Sequence, residues 1–349
     1  MSTKLRSSVV AALALAMAGC AEEGPTEPEV TSTSKTAIAR RYEVRDLGTL
    51  GGSFSFASGI NAGGEVVGAS TTSTGQDHAF LWKNGTMRDL GTLEGGETSG
   101  ARGINQYGDV VGQSGTAEGP SHAFLWRQGV MTDLGTFDGF GSSAAHSING
   151  VGQIVGYSFR AETGEPHAAL WQNGVMTDLG TLGGPWSMAH DINDAGQVVG
   201  DSRVSAEDDM VIHAFLWQNG VMTDLGTLGG RTSHAQGINA DGDVVGWSET
   251  VDGVTHIVQW SQGVITDLGP FDGNQGFGAA INVEDQKVGL VSGAQSGPAF
   301  WERRKAMLLP TLGGPGGSAD DINDAGLVVG SSGTGTGAGE FHAVLWVPK

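Results

Sequence analysis

Repetition with a period near 44 residues constrains this chain more than any other feature. HAALWQNGVMTDLGTLGG at 167–184 returns almost unchanged as HAFLWQNGVMTDLGTLGG at 213–230. An Ile-Asn step places asparagine at 61, 105, 149, 193, 239, 282 and 323. A Val-Gly step ends at Gly68, Gly112, Gly156, Gly200, Gly246, Gly289 and Gly330. A third motif ends at Trp82, Trp126, Trp171, Trp217, Trp260, Trp301 and Trp346. The three keep their order in every copy, so the chain is built from one unit used seven times.

Each unit reads as four short strands, here called A to D. Strand A ends at the Ile-Asn step and turns through Asn-x-x-Gly into strand B, as in AHDINDAGQVVG. A variable loop leads to strand C, HAFLW. Asn-Gly or Gln-Gly then turns it back into strand D, VMTDLG, and Asn-Gly is a strong hairpin signal. Glycine is abundant, at 60 residues, and follows no three-residue period, which suits many turns rather than collagen. No segment carries a long 3.6-residue apolar period, so helices should be nearly absent. Four antiparallel strands at this period predict an all-β, seven-bladed β-propeller of four-stranded antiparallel blades. The chain ends on a strand C, HAVLWVPK, and the repeat region opens on a strand D, YEVRDLGTLGG. Pairing residues 42–48 with 342–347 would close the ring through the N-terminal strand and remove two exposed sheet edges.

His-Ala-Phe followed by Trp and Asp-Leu-Gly resembles the HAF family of extracellular bacterial repeats. The resemblance spans residues 42 to 347. It implies export and a repeat fold, and no particular activity.

The N-terminus reads as a targeting segment. Lys4 and Arg6 precede an apolar run from Val9 to Ala18, which is too short to span a bilayer. Small residues then lead to Cys20, the only cysteine. Residues 1–19 are expected to be a lipoprotein-type signal peptide. Cys20 is expected to be the lipid attachment point, and residues 20–40 a flexible tether rich in Pro, Thr, Ser and Glu. The domain is then residues 41–349, exported and anchored to the bacterial envelope or surface, with the membrane a partner through that lipid. A lone cysteine also excludes structural disulfides and thiolate metal sites. The formal charge of -20 makes nucleic acid a poor partner. A monomeric domain is expected.

The repeated histidine invites a functional reading, but hairpin arithmetic favours a structural one. About the Asn84-Gly85 turn, Phe80 faces Asp89, and His78 lies diagonally across from that aspartate. The same offset pairs His122 with Asp133, His167 with Asp178, His213 with Asp224 and His256 with Asp267. Across the closure it pairs His342 with Asp46. The sixth unit loses both partners together, carrying Gly297 and Leu308. These twelve residues are therefore read as structural braces, and the repeated Trp as filler between blades.

Function should then lie in the exceptions. His146 and His190 fall three residues before the Ile-Asn asparagine and His234 five before it. They share side-chain parity and come from consecutive units. Trp186, Trp247 and Tyr157 are non-repeat aromatics of the same sector. Together with Asp201 they define a candidate ligand site for a glycan or peptide, on the face of the D–A and B–C loops. Arg102, Gln236 and Asp320 hold the minus-three position in other units. The longest B–C loop, in the fourth unit, carries Glu207, Asp208 and Asp209. No cofactor is predicted, and a divalent metal on His146, His190 and His234 with Asp201 or Asp208 is the alternative. No Ser-His-Asp order, HExxH or P-loop stands out, so no catalytic residue is named. The leading reading is a binding module. A metal-assisted or carboxylate-based hydrolase or lyase, an adhesion scaffold, and plain channel residues of a drifting repeat stay open.

Overall fold

The computed structural model describes residues 42–349 except 118, 140, 209, 272, 274, 303, 304, 337 and 338. The expected signal peptide, Cys20 and the tether lie outside the described residues, as does Asp209. Among the described residues there is no helix, and hence none long and apolar enough to cross a membrane.

The strands form antiparallel sheets in the order A-B-C-D that the repeat predicts. Five sheets have four strands. In the remaining eight-stranded sheet, one parallel bridge from Ile212 to Thr232 links the quartets of the fourth and fifth units. The fourth unit shows the pattern: Ser187–Ile192, Val198–Arg203, Ile212–Gln218 and Val221–Asp224 pair in sequence. Asn219, at the C–D turn, has φ 53° and Gly220 has φ 83°. Both central residues of this turn lie in the left-handed region, which matches the twist of the flanking strands.

One sheet joins the two ends of the described chain. Gly317–Ile322, Val328–Gly333 and Phe341–Pro348 supply strands A to C, and Tyr42–Asp46 supplies the fourth strand. Tyr42 stands opposite Pro348 and Asp46 opposite Val344.

The Ile-Asn asparagines do more than start a turn. Asn239 Oδ1 accepts the N–H groups of Asp241 and Asp243, and its Nδ2 donates to the Asn282 carbonyl of the next unit. The same amide-to-carbonyl step runs from 61 to 105, 149, 193 and 239, and from 282 to 323. Asn323 Nδ2 then donates to the Asn61 carbonyl. Buried serines add a second link. Ser233 Oγ accepts from Ala214 N–H in the preceding unit and donates to the Gly226 carbonyl, while Ser55 accepts from Ala343 N–H. Burying these polar groups is tolerable because each has a partner.

Apolar cores lie between successive sheets. Val67 and Ala79 of the first unit pack with Val110, Phe124 and Trp126 of the second. Ala57, Val66 and Phe80 pack in the same way against Val329, Ala343 and Leu345. The repeated Trp belong to these layers: Trp260 and Trp346 are fully buried, and their Nε1 groups donate to the Leu225 and Pro310 carbonyls. The Val-Gly glycines sit where strands A and B approach most closely. A Cβ on Gly200 would fall 2.0 Å from the Met188 carbonyl oxygen.

Candidate functional site

Every described strand A carries one extra residue beside that glycine. In the fourth unit Ala189 pairs with Gly200 and Asp191 with Val199, which leaves His190 unpaired between them. The bulge recurs at Ser58, Arg102, His146, Gln236, Ala279 and Asp320. The parity expected for His146, His190 and His234 assumed a regular strand, and that assumption fails at each bulge. A bulge re-aims its side chain. Here the seven bulge residues line one cavity of about 410 Å³, which extends from them to the Asn-x-x-Gly turns. His146 and His190 line it, whereas Tyr157, Asp201, His234 and Trp247 do not. These four lie nearer the D–A connections along their strands.

Six of the seven candidate ligand residues nevertheless form one contact group. Asp201 is 3 % exposed and holds both neighbouring imidazoles. His190 Nε2 donates to its Oδ1, and His234 Nδ1 lies 2.5 Å from its Oδ2. The His146 ring is stacked parallel to His190 at 5.5 Å, and Tyr157 meets His146 edge-on at 5.4 Å. On the other side Trp247 stacks on His234 at 3.8 Å. Trp186 stays apart: its carbonyl accepts from Arg203 N–H and Ser202 Oγ, and no ring contact among the described residues joins it to the group. Two phenylalanines missed in the sequence extend the row. Phe159 meets Tyr157 at 5.9 Å and Phe277 meets Trp247 at 5.5 Å. Their signal was positional, since Phe277 is five before its asparagine, as His234 is.

The electrostatics follow from burial and pairing. Burial raises the Asp201 carboxyl, but the two histidines outweigh it and hold the group below its usual range. His146 is pushed down to about 3, first by burial and then by the nearby charges of His190 and Arg102. It is therefore a neutral imidazole at pH 7. Its Nδ1 donates to the Ala189 carbonyl at 2.8 Å, which leaves Nε2 as an acceptor.

The metal alternative does not match this arrangement. Asp201 has both oxygens engaged by imidazoles. Asp208 is held on the surface by Arg231 at 2.6 Å. Among the described residues no group of three or more His, Cys, Asp or Glu side chains could hold a metal ion.

The cavity also contains carboxylates that sequence reasoning passed over. Asp191 and Asp321 stand two before their asparagines, where other units carry Gly, Ser or Ala. Asp191 accepts from Ile192 and Ile238 N–H and from Ser147 Oγ; Asp321 accepts from Ile322 and Ile60 N–H. Burial raises Asp191, and pushes Asp320 up to about 6 and Asp321 up to about 7. An acidic residue at a position otherwise kept small was the available signal.

The repeated histidines stand elsewhere, on the C–D hairpins. His78 Nδ1 is 2.8 Å from Asp89 and His122 Nδ1 is 2.8 Å from Asp133. His167 lies 2.9 Å from Asp178, His213 2.7 Å from Asp224 and His256 2.9 Å from Asp267. His342 lies 2.9 Å from Asp46, on the N-terminal strand. The aspartates also receive the N–H two residues on, as Asp224 does from Gly226. Asp178 has an additional partner in Arg160.

No protein-family model and no curated protein sequence matches the chain. Solved structures do. The chain is similar to the β-propeller domain of the Trilobed protease from Pyrococcus furiosus, described as having an open velcro topology. The TM-score is 0.55 at 11% identity, covering 85% of this chain and 95% of that one. It is also similar to a puromycin-hydrolyzing peptidase of Mycobacterium tuberculosis. There the TM-score is 0.54 at 11% identity, over 88% of this chain and 51% of that one, so it spans about half of the peptidase. Likeness at such identities speaks to architecture alone. With the ordered four-stranded sheets, it shows that the chain has a β-propeller fold.

Proposed function

We propose that this protein is an exported, lipid-anchored binding module. It is a closed seven-bladed propeller that takes a glycan or peptide ligand in its central cavity, at repeats three to five. The closed ring is supported by the Asn323–Asn61 hydrogen bond and by the pairing of Tyr42–Asp46 with the last strand C. The export and anchor rest on the Cys20 signal, and the HAF resemblance agrees with them. One observation carries the ligand site. Six residues that break the repeat, drawn from three consecutive units, form a single contact group, and two of them, His146 and His190, reach the cavity wall. Aromatic rings beside a few oriented polar groups are the usual make-up of a small-ligand site.

Glycan and peptide arrays probed with the full chain test this reading, with His190→Ala and Tyr157→Phe as controls. Binding should occur, and His190→Ala should remove it while thermal unfolding shows a folded protein. Unchanged binding in that variant would refute the site. A carboxylate-based hydrolase is the second reading, favoured by the raised Asp320 and Asp321 in the same cavity. Ligand recovered intact after long incubation would exclude it.

A further inference from the structure

Arg102 is the one described guanidinium that lines the cavity, and no carboxylate pairs with it. Acidic residues outnumber basic ones by 38 to 18, so a cation has carboxylates to choose from. Arg45, Arg127, Arg160 and Arg231 each sit near one, whereas Arg88 lies over the Trp126 ring and Arg203 Nε is buried without a hydrogen-bond partner. Arg102 is the bulge residue of the second strand A, lines the cavity and is exposed within it. It makes no hydrogen bond, ion pair or ring contact among the described residues. The bulge positions on either side are Ser58 and the neutral His146, and neither offers it a charge. Asp191 and Asp321 do not pair with it: their oxygens accept from backbone N–H groups and, for Asp191, from Ser147 Oγ.

We infer that Arg102 is the recognition group for a ligand carboxylate, and that the ligand is an acidic sugar. The inference rests on the binding-module reading and narrows it to a ligand class. A guanidinium presents a planar fork of donors that fits a carboxylate with two parallel hydrogen bonds. One such group in a cavity shared with three half-buried acids suits a monoanion, whereas a phosphate dianion would bring a second, uncompensated charge. The remaining bulge positions mix donors and acceptors: Ser58, His190, Gln236 and Asp320. That mixture suits the hydroxyl groups of a sugar, and about 410 Å³ accommodates a small one.

The test compares uronate-containing oligosaccharides with their methyl esters, which keep the shape and remove the charge. Calorimetric titration of the full chain should show the esters bound about 10- to 100-fold more weakly, as expected for a charge-assisted pair. Arg102→Gln should abolish that difference, and Arg102→Lys should retain part of it. Arg102 is exposed, so both variants should fold, and a melting curve verifies this. Equal affinity for acid and ester overturns the inference and leaves the binding module standing. So does binding of neutral glycans only, or selection of peptide C-termini over uronates. Failure of acidic, esterified and neutral glycans and of peptides alike overturns the module itself.

Discussion

Replacing Asn323 with alanine asks whether the two ends of the repeat region are joined as firmly as any two neighbouring units. Asn239 is the matched internal control. Each side chain accepts two N–H bonds from its own turn and donates one to the asparagine carbonyl of the next unit. Their lengths agree, at 3.2, 3.1 and 2.9 Å for Asn239 and 3.0, 3.1 and 3.0 Å for Asn323. Both residues are buried, at 5% and 7% exposure. A net contribution of about 1 kcal/mol per bond gives about 3 kcal/mol lost in either variant. At roughly 2 °C per kcal/mol for a chain of this size, melting should fall by about 6 °C. Urea unfolding of Asn239→Ala and Asn323→Ala, measured side by side, checks the equality. If Asn323→Ala costs less than half of what Asn239→Ala does, the 323-to-61 link is weaker than an internal one. The closed-ring argument would then fail.

Further outcomes follow from the same geometry. Asp178 is held at about 2: burial opposes ionisation, but His167, the Gly180 N–H and Arg160 outweigh it. Its folded value is below its unfolded one, so its contribution is present above pH 4 and lost as pH falls toward 2; Asp178→Asn should flatten that acid limb in urea titrations. Asp320 has the opposite sign, because burial raises its folded value to about 6. The native state there holds a proton that the unfolded chain releases, so stability falls as pH rises from 4 through 6, and Asp320→Asn should be the more stable protein at pH 8. His213→Gln removes a half-exposed pair, so it should lower stability by less than about 1 kcal/mol and leave array binding intact. Gly200→Ala forces a Cβ onto the Met188 carbonyl and should destabilise by about 3 kcal/mol or more, seen as a lowered urea midpoint.

The sheets and the His–Asp pairing could be read from sequence because both depend on hairpin register. An Asn-Gly turn sets which residues face each other, so Asp89 opposite Phe80 follows by counting. Strand A resisted that method. Its bulge adds one residue without a turn signal, and periodicity cannot show an extra residue inside a strand. His146 and His190 were therefore chosen for a parity they lack, although the bulge brings them to the cavity. The asparagine links were missed for another reason. A conserved spacing suggests a turn, but the partner of Nδ2 lies in the next unit, about 44 residues away, and local patterns carry no trace of it. Asp191 and Asp321 could have been noticed as acids at a position otherwise kept small, but their place in the cavity depends on the bulge beside them. Trp186 was grouped by residue type, and its ring takes no part in the group.

The strand Tyr42–Asp46 comes from the start of the described chain and lies along Phe341–Pro348 with Tyr42 at the Pro348 end. Both ends of the described chain therefore leave from one corner of the molecule. Tension between them would enter this ladder at Tyr42 and part its five residue pairs one after another, like a zip, instead of shearing all of them at once. A pull on the chain ahead of Tyr42 would strip off this strand before any strand A is disturbed. The last sheet would then keep three strands, and the parting of Asp46 from His342 would mark the end of that peeling.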